Sequence, residues 1–333
     1  MEIFFIFIFL ILFNLLIFLK FETISKNFIF FDKPDGKLKK HSKPVSLIGG
    51  LIILINLYFI IFFLNLLGYD KIIFENNFLY AFLLLSTFFY LIGLVDDLKN
   101  LSPNKKLFFL SISIVFVIYF FSDINLEHIK ISFLKDIYYF KYSELFLILS
   151  FALLANAMNM FDGINLQLIL YTSFLFILFI LKGFFSIFFG LLLIVFIFLA
   201  VLNYKNKIFL GDSGAYLISV IIGSTFIYQY NEFENYFFGD QVFIILLIPA
   251  IDMLRLFFVR IINKKHPFRG DLNHLHHIVN NFTNNKNYTI LITISLSITP
   301  SLLLLLDIAS YYILLISLMI YFGLISYLKL KIK

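Results

Sequence analysis

The chain has 333 residues, of which 62% are hydrophobic and only 14% are charged, and its mean hydropathy is +0.98. A soluble domain of this size has no core that could bury so much apolar surface, whereas a lipid bilayer accepts it. The absence of cysteine excludes disulfides, thiolate metal sites and a cysteine nucleophile. The net charge of +6 would suggest a nucleic-acid partner for a soluble chain, but basic cytoplasmic loops explain it here, and no nucleic acid is expected.

Apolar runs follow one another along the chain, each near the length that a bilayer requires. Because helices satisfy their own backbone hydrogen bonds in hydrocarbon, the runs predict an all-α polytopic membrane protein with about eleven transmembrane helices. Residues 1–333 are expected to form a single integral-membrane domain. The predicted spans are Ile3–Leu19, Ser46–Leu67, Phe78–Val95, Leu107–Phe121, Leu145–Met160, Leu166–Leu181, Phe184–Leu202, Ala215–Tyr230, Val242–Ile262, Tyr288–Leu306 and Ile308–Leu328.

Loop charge predicts the orientation in the membrane. When the loops are assigned alternately to the two sides, one side carries 21 of the 26 Lys and Arg residues. By the positive-inside rule that side is cytoplasmic, which places the N-terminus outside and the C-terminus inside. The longest outside loop, Ser122–Tyr142, is expected to form either a small hairpin or an interfacial helix.

The first cytoplasmic loop is rich in lysine and ends at Gly49-Gly50. Its basic side chains, Lys40 and His41 among them, are candidates for binding an anionic substrate. A topogenic signal or contact with lipid headgroups is an equal alternative for the lysines taken singly.

Two adjacent carboxylates, Asp96 and Asp97, end the third apolar run, and Lys106 follows them. Adjacent carboxylates repel each other, so both stay ionised at a membrane helix end only if a cation or solvent compensates. For an isolated pair, a solvated helix terminus is the ordinary interpretation. The other polar clusters of the chain decide between a solvated helix terminus and a functional pair of carboxylates.

The fifth run ends in Asn156, Asn159 and Asp162, which are spaced to form a polar stripe on one helix face. Such a stripe could instead hold helices together. The segment Gly211–Gly214, with the sequence Gly-Asp-Ser-Gly, opens the eighth run and could be merely an N-cap.

The largest cytoplasmic loop carries Arg260, His274, His276 and His277. Cationic and imidazole side chains can contact a diphosphate or handle protons. A transition-metal site built from the histidines is the alternative, although no cysteine is present to complete it.

All these clusters fall on the predicted cytoplasmic side of the bilayer. Carboxylate and amide oxygens suit Mg²⁺, with Mn²⁺ as the alternative, and nearby Lys and Arg supply positive charge for phosphates. The combination indicates phosphoryl transfer between a cytosolic nucleotide compound and a lipid phosphate. The oxygen ligands in question belong to Asp96, Asp97, Asn159, Asp162 and Asp212.

In their order the motifs resemble the polyprenyl-phosphate N-acetylhexosamine-1-phosphate transferases, glycosyltransferase family 4. The resemblance covers Lys33–Gly50, Gly93–Lys106, Asn156–Leu166, Phe209–Gly214 and Asp252–His277. It implies that a UDP-HexNAc reacts with undecaprenyl phosphate to give undecaprenyl-diphospho-HexNAc and UMP, and that the reaction requires Mg²⁺. The implied donor is UDP-GlcNAc in particular. It also implies a bacterial inner (cytoplasmic) membrane location in a cell-envelope glycan pathway, while a homodimer is left open.

The resemblance carries roles onto particular residues of this sequence. Asp212 is similar to the family's metal-binding aspartate, and Asp96 and Asp97 to its paired aspartates, one of which assists the lipid phosphate nucleophile. Lys106 matches a lysine that holds phosphate. The remaining polar stripe consists of Asn156, Asn159 and Asp162, which match the family's residues that frame the nucleotide-sugar. Asn159 is also a candidate metal ligand, and Asp162 is also a candidate catalytic residue.

The run Asn273–His277 is similar to the GlcNAc-1-phosphate branch, whereas the phospho-MurNAc-pentapeptide translocase branch has three consecutive histidines. The chain departs from the family at Asn165, Leu166, Asn100 and Asn273, which bears on the metal ligands and on sugar specificity. The translocase is the alternative within the class, and a cation-coupled transporter is the alternative outside it. Direct in-line attack and a two-step route through a carboxylate both stay open.

Overall fold

The computed structural model describes residues 2–28, 30–32, 44–69, 73–126, 128–134, 137–232, 237–265, 267 and 271–332. Nearly all the regular structure is helical. The helices are α1 (Glu2–Leu19), α2 (Phe21–Asn27), α3 (Gly49–Leu66), α4 (Asn76–Lys99), α5 (Pro103–Phe120), α6 (Ser143–Phe161), α7 (Gln167–Leu181), α8 (Ser186–Tyr204), α9 (Gly211–Glu232), α10 (Gly239–Ile245), α11 (Leu247–Ile262), α12 (Leu275–Thr283), α13 (Lys286–Leu304) and α14 (Ser310–Ile332).

Every predicted apolar run contains a helix, so the prediction of an all-α polytopic membrane protein is confirmed. Within the described ranges, seven helices are long and apolar enough to span a bilayer, or nine if the bent pairs α1–α2 and α10–α11 each count as one span. Helix α7 has only 15 residues, and α9 carries polar side chains along its length. The count of eleven spans and the orientation stay predictions.

One predicted span, Val242–Ile262, is not a continuous helix. It divides into α10 and α11, which are bent by 79° at Leu246. Pro249 explains the break, because a helix that continued from α10 would need the residue 249 N–H as a donor to the Ile245 carbonyl, and the proline ring would clash with that carbonyl.

The chain forms two compact units, which we call the N-unit and the C-unit. The N-unit comprises Met1–Ile124 and Leu168–Ser224, and the C-unit comprises Asn125–Gln167 and Thr225–Lys333. In the N-unit, α4 packs on α5, and α8 packs on α1 and α3. In the C-unit, α11 packs on α6, and α12 packs on α13 and α14.

Among the described residues, two short antiparallel strand pairs accompany the helices. In the N-unit β1 (Phe31–Asp32) pairs with β2 (Val45–Ser46), and the Phe209 N–H donates to the Ser46 carbonyl at 2.8 Å. In the C-unit β3 (His128–Lys130) pairs with β4 (Ile137–Tyr139). Of the two alternatives for the loop 122–142, the described residues therefore adopt the hairpin.

Candidate active site

The start of α9 lies against the backbone of two other N-unit helices because glycines occupy the contact points. A Cβ at Gly50 would lie 2.6 Å from the Gly214 amide nitrogen, and a Cβ at Gly49 would lie 2.6 Å from the Phe209 carbonyl oxygen. A Cβ at Gly93, on α4, would overlap the backbone of residues 212–213. The glycines in two of the predicted motifs thus let the Gly-Asp-Ser-Gly segment approach α3 and α4.

Asp97 binds the N-terminus of α9. Its carboxylate accepts the Asp212 N–H at 2.8 Å and the Ser213 N–H at 3.1 Å. The first N–H groups of a helix lack intrahelical partners and carry partial positive charge, so a carboxylate at this position is stabilised. Gly211, with φ +71°, leaves room for that carboxylate, since a Cβ there would lie 2.6 Å from Asp97 Oδ2. The cap of α9 therefore comes from α4.

Asp96 faces a different partner. Its side chain is buried, with 3% of the residue exposed, and its Oδ1 accepts the Leu101 N–H at 2.8 Å. Its Oδ2 forms an ion pair with Lys106, whose Nζ also lies 3.3 Å from Asp212 Oδ2. The ammonium group therefore bridges two carboxylates that come from α4 and α9. Asp96, Lys106 and Asp212 therefore lie together within the N-unit, while their predicted roles in catalysis and metal binding stay predictions.

This arrangement bears on the predicted magnesium site. Among the described residues, no group of three or more His, Asp or Glu side chains has an arrangement that could hold a metal ion. Mg²⁺, however, is usually bound through one or two carboxylates together with substrate phosphates. Asp96 and Asp212 fit that pattern, because their oxygens already converge on one cation, the Lys106 ammonium.

In the C-unit the predicted polar stripe lies at the end of α6. Asn156, Asn159 and Asp162 are all partly exposed, and the Asn156 amide donates to the Ala152 carbonyl at 2.8 Å. Their contacts with a nucleotide-sugar stay predictions. A Cβ added at Gly163 would overlap the His276 ring, so this motif and the histidine segment are in contact.

The three predicted histidines form a cluster of rings at the start of α12. The rings of His274 and His276 are stacked with centroids 5.5 Å apart, and the His276 and His277 centroids are 4.2 Å apart. His276 is 2% exposed, and within the described part of the chain its Nε2 has no hydrogen-bond partner. Burial, together with the neighbouring His277 and His274, lowers the pKa of His276 well below its ordinary value. His276 is therefore neutral near pH 7.

We expect His276 to make the folded protein sensitive to mild acid. The unfolded histidine binds a proton below pH about 6.5, whereas the buried ring does not, so unfolding becomes easier by up to about 1.4 kcal/mol per pH unit below that value. Thermal unfolding at pH 7.5 and 5.5 should show a larger loss for the wild type than for His276→Gln. Both proteins keep His274, His277 and Asp252, so equal losses would contradict the buried neutral imidazole.

Arg260, predicted to bind substrate, is 5% exposed and already engaged by protein groups. Its Nε donates to Asp271 Oδ2 and its Nη1 to the Pro267 carbonyl, both at 2.8 Å. Partial burial by itself raises the pKa of the Asp271 carboxyl, but the hydrogen bonds from Arg260 and from the Asn273 N–H outweigh it and lower that pKa. These contacts join Arg260, near the end of α11, to Pro267 and Asp271. Contact of Arg260 with a substrate phosphate stays a prediction.

The C-unit contains a buried polar network that was not predicted from the sequence. Arg255 Nη2 donates to Asp252 Oδ1 at 2.8 Å, and the two residues lie one turn apart on α11. The Tyr321 hydroxyl, on α14, donates to the same oxygen at 2.7 Å and accepts from Arg255 Nε at 2.9 Å. The sequence did contain a signal for this network, because Asp252 and Arg255 lie inside an apolar run. Charged side chains in such a run are costly unless they are paired.

Lys40 and His41, the two candidates in the first cytoplasmic loop, lie outside the described residues.

Comparison with known proteins agrees with the order of these motifs. Residues 79–230 match the model of glycosyl transferase family 4, a range that includes the paired aspartates, the stripe on α6 and the Gly-Asp-Ser-Gly segment. The chain is also similar to the undecaprenyl-phosphate alpha-N-acetylglucosaminyl 1-phosphate transferase of Thermotoga maritima. The two are 26% identical over 290 residues, which cover 85% of this chain and 83% of the relative. Both comparisons support the predicted resemblance to glycosyl transferase family 4.

Proposed function

We propose that this protein transfers GlcNAc-1-phosphate from UDP-GlcNAc to undecaprenyl phosphate, giving undecaprenyl-diphospho-GlcNAc and UMP. The reaction takes place at the cytoplasmic face of a bacterial inner membrane and depends on Mg²⁺. The name of the Thermotoga relative and the His-Leu-His-His run at His274–His277 support this donor and acceptor.

The observation that carries the proposal is the bridge from Asp96 through Lys106 to Asp212. Two carboxylates and an ammonium group lie together at helix ends. These are the groups that would hold a divalent cation and phosphate oxygens. Asp97 contributes by holding Asp212 in place through the backbone of α9. In a reaction of this class, positioning and charge stabilisation supply most of the catalysis.

In the proposed reaction an oxygen of the lipid phosphate attacks the β-phosphorus of UDP-GlcNAc, and the bond to the bridging oxygen breaks, which releases UMP. Asp96 and Asp212 would hold Mg²⁺, which supplies charge neutralisation at the diphosphate. Lys106 contacts phosphate oxygens. A lipid phosphate is largely dianionic near neutral pH, since its second pKa is about 6, so little proton removal is needed.

Release of UMP by the purified full-length protein tests the proposal. We expect release from UDP-GlcNAc only when both undecaprenyl phosphate and Mg²⁺ are present, and loss of release on chelation with EDTA. Release from UDP-MurNAc-pentapeptide alone would replace the proposal with the translocase reaction. If no UDP-sugar yields UMP while proteoliposomes show solute counterflow, the protein is a transporter instead.

A further inference from the structure

Tyr216 lies on α9 four residues after Asp212, so the two side chains are neighbours on one face of that helix. The tyrosine is fully buried, with 0% of the residue exposed. Helix α4 lies beside this end of α9, because a Cβ at Gly93 would overlap the backbone of residues 212–213, and Asp96 follows Gly93 by one turn. All these residues belong to the N-unit.

The Tyr216 hydroxyl is close to the carboxylates of the candidate site. The charges of Asp212, Asp97 and Asp96 all act on the phenol, and Asp96 is near enough to share a hydrogen bond with it. No atom within the described ranges meets the hydroxyl at full hydrogen-bond geometry, however. A buried tyrosine hydroxyl without a partner is uncommon, because it has lost its hydration and gained nothing in return. A small rotation toward Asp96 would supply that partner.

The Asp96 carboxylate has room for a further donor. Its Oδ1 accepts the Leu101 N–H, and its Oδ2 forms the ion pair with Lys106. An ionised carboxylate offers about four lone-pair positions, so these two partners do not fill it. In the reaction proposed above, Lys106 contacts phosphate oxygens. A buried carboxylate that shares its cation in this way needs another donor to keep its orientation.

We propose that Tyr216 is a positioning residue for the transferase reaction: its hydroxyl donates to the Asp96 carboxylate and holds it toward Lys106 and the divalent cation. The proposal rests on the function proposed above. The tyrosine lies one turn further into α9 than Asp212, and it acts through Asp96 and not by contact with a substrate. Groups that orient a metal ligand in this way commonly change metal affinity by about 10-fold to 100-fold when they are removed.

The substitution Tyr216→Phe removes the hydroxyl and keeps the ring. Deleting a hydroxyl that has no partner leaves the Tm unchanged or raises it, whereas deleting a donor to a buried carboxylate lowers it. We expect a lower Tm in EDTA and a Mn²⁺ affinity, followed by electron paramagnetic resonance, that is weaker by about 10-fold to 100-fold. The Mg²⁺ concentration for half-maximal UMP release should rise, while the KM for UDP-GlcNAc at saturating Mg²⁺ stays the same.

Tyr171→Phe is the matched control. Tyr171, on α7 of the N-unit, is equally buried, and no carboxylate of the described residues acts on its phenol. Its replacement should leave Mn²⁺ affinity unchanged. Equal weakening in both variants, or an unchanged or higher Tm in Tyr216→Phe, would overturn the proposal. A lower Tm with unchanged Mn²⁺ affinity would give the hydroxyl a structural role only, which also overturns it.

The substitution Asp96→Asn tests the contact itself. With a neutral amide at residue 96, deleting the Tyr216 hydroxyl should lower the Tm much less than it does in the wild type, and an equal loss in both backgrounds would refute the contact. If Tyr216→Phe does not fold, the double variant should fold, and its failure to do so would overturn the proposal. The Tm measurements need no turnover. They therefore decide the contact even if no UMP is released, a result that would refute the proposed function alone.

Discussion

The substitution Asp212→Asn is expected to lower the rate of UMP release by about 10³-fold. It removes one of the two carboxylates that converge on the Lys106 ammonium, and with it the charge proposed to hold Mg²⁺. The fold should survive, because Asp97 binds the backbone N–H of residue 212 and not its side chain. We also expect Mn²⁺ binding, followed by electron paramagnetic resonance, to weaken in the same variant.

Asp307→Asn is the matched control for this experiment. Asp307 is exposed at the turn between α13 and α14 and has φ +55°, a conformation that asparagine adopts readily. The same chemical change should therefore leave UMP release and Mn²⁺ binding unchanged. Full activity of Asp212→Asn, or equal losses in both variants, would remove the assignment of Asp212.

Gly93→Ala is expected to lower UMP release by about 10²-fold and to destabilise the protein by about 1–3 kcal/mol. The added Cβ would overlap the backbone of residues 212–213, which cannot rotate away as a side chain would. The start of α9 must then move from α4, and the hydrogen bonds from its N–H groups to Asp97 lengthen. Thermal unfolding in detergent and the UMP assay measure the two effects.

Gly190→Ala, on α8 of the same unit, is the control. The nearest heavy atom to its added Cβ is in the Phe7 ring at 3.9 Å, an ordinary contact. Replacing glycine by alanine inside a helix is worth about 1 kcal/mol in favour of alanine. The two substitutions should therefore have opposite effects on stability. Equal effects at both sites would show that the approach of α9 to Gly93 is not required.

The sequence was sufficient to predict the helical class and to name Asp96, Lys106 and Asp212, which the fold brings together. Runs of apolar residues about as long as a bilayer is thick can be satisfied only by helices, so their identity did not depend on what they pack against. The residue types in the motifs, two aspartates, a lysine and a Gly-Asp-Ser-Gly segment, were enough to predict a site for a cation and phosphate. The bend at Leu246 was also predictable, since Pro249 stands four residues after Ile245.

The different contacts that neighbouring residues make depended on the tertiary structure. Asp96 and Asp97 are adjacent in the sequence, but successive side chains on a helix point about 100° apart, so one meets Lys106 and the other meets the start of α9. The partners of Asp252 were equally hidden, because Tyr321 is 69 residues away along the chain. Local patterns therefore determined which residues form helices and which carry chemistry. Only the packing of distant segments determined that Asp96 faces the Lys106 ammonium and that Asp97 holds the start of α9. The same packing places Asp252 beside His274.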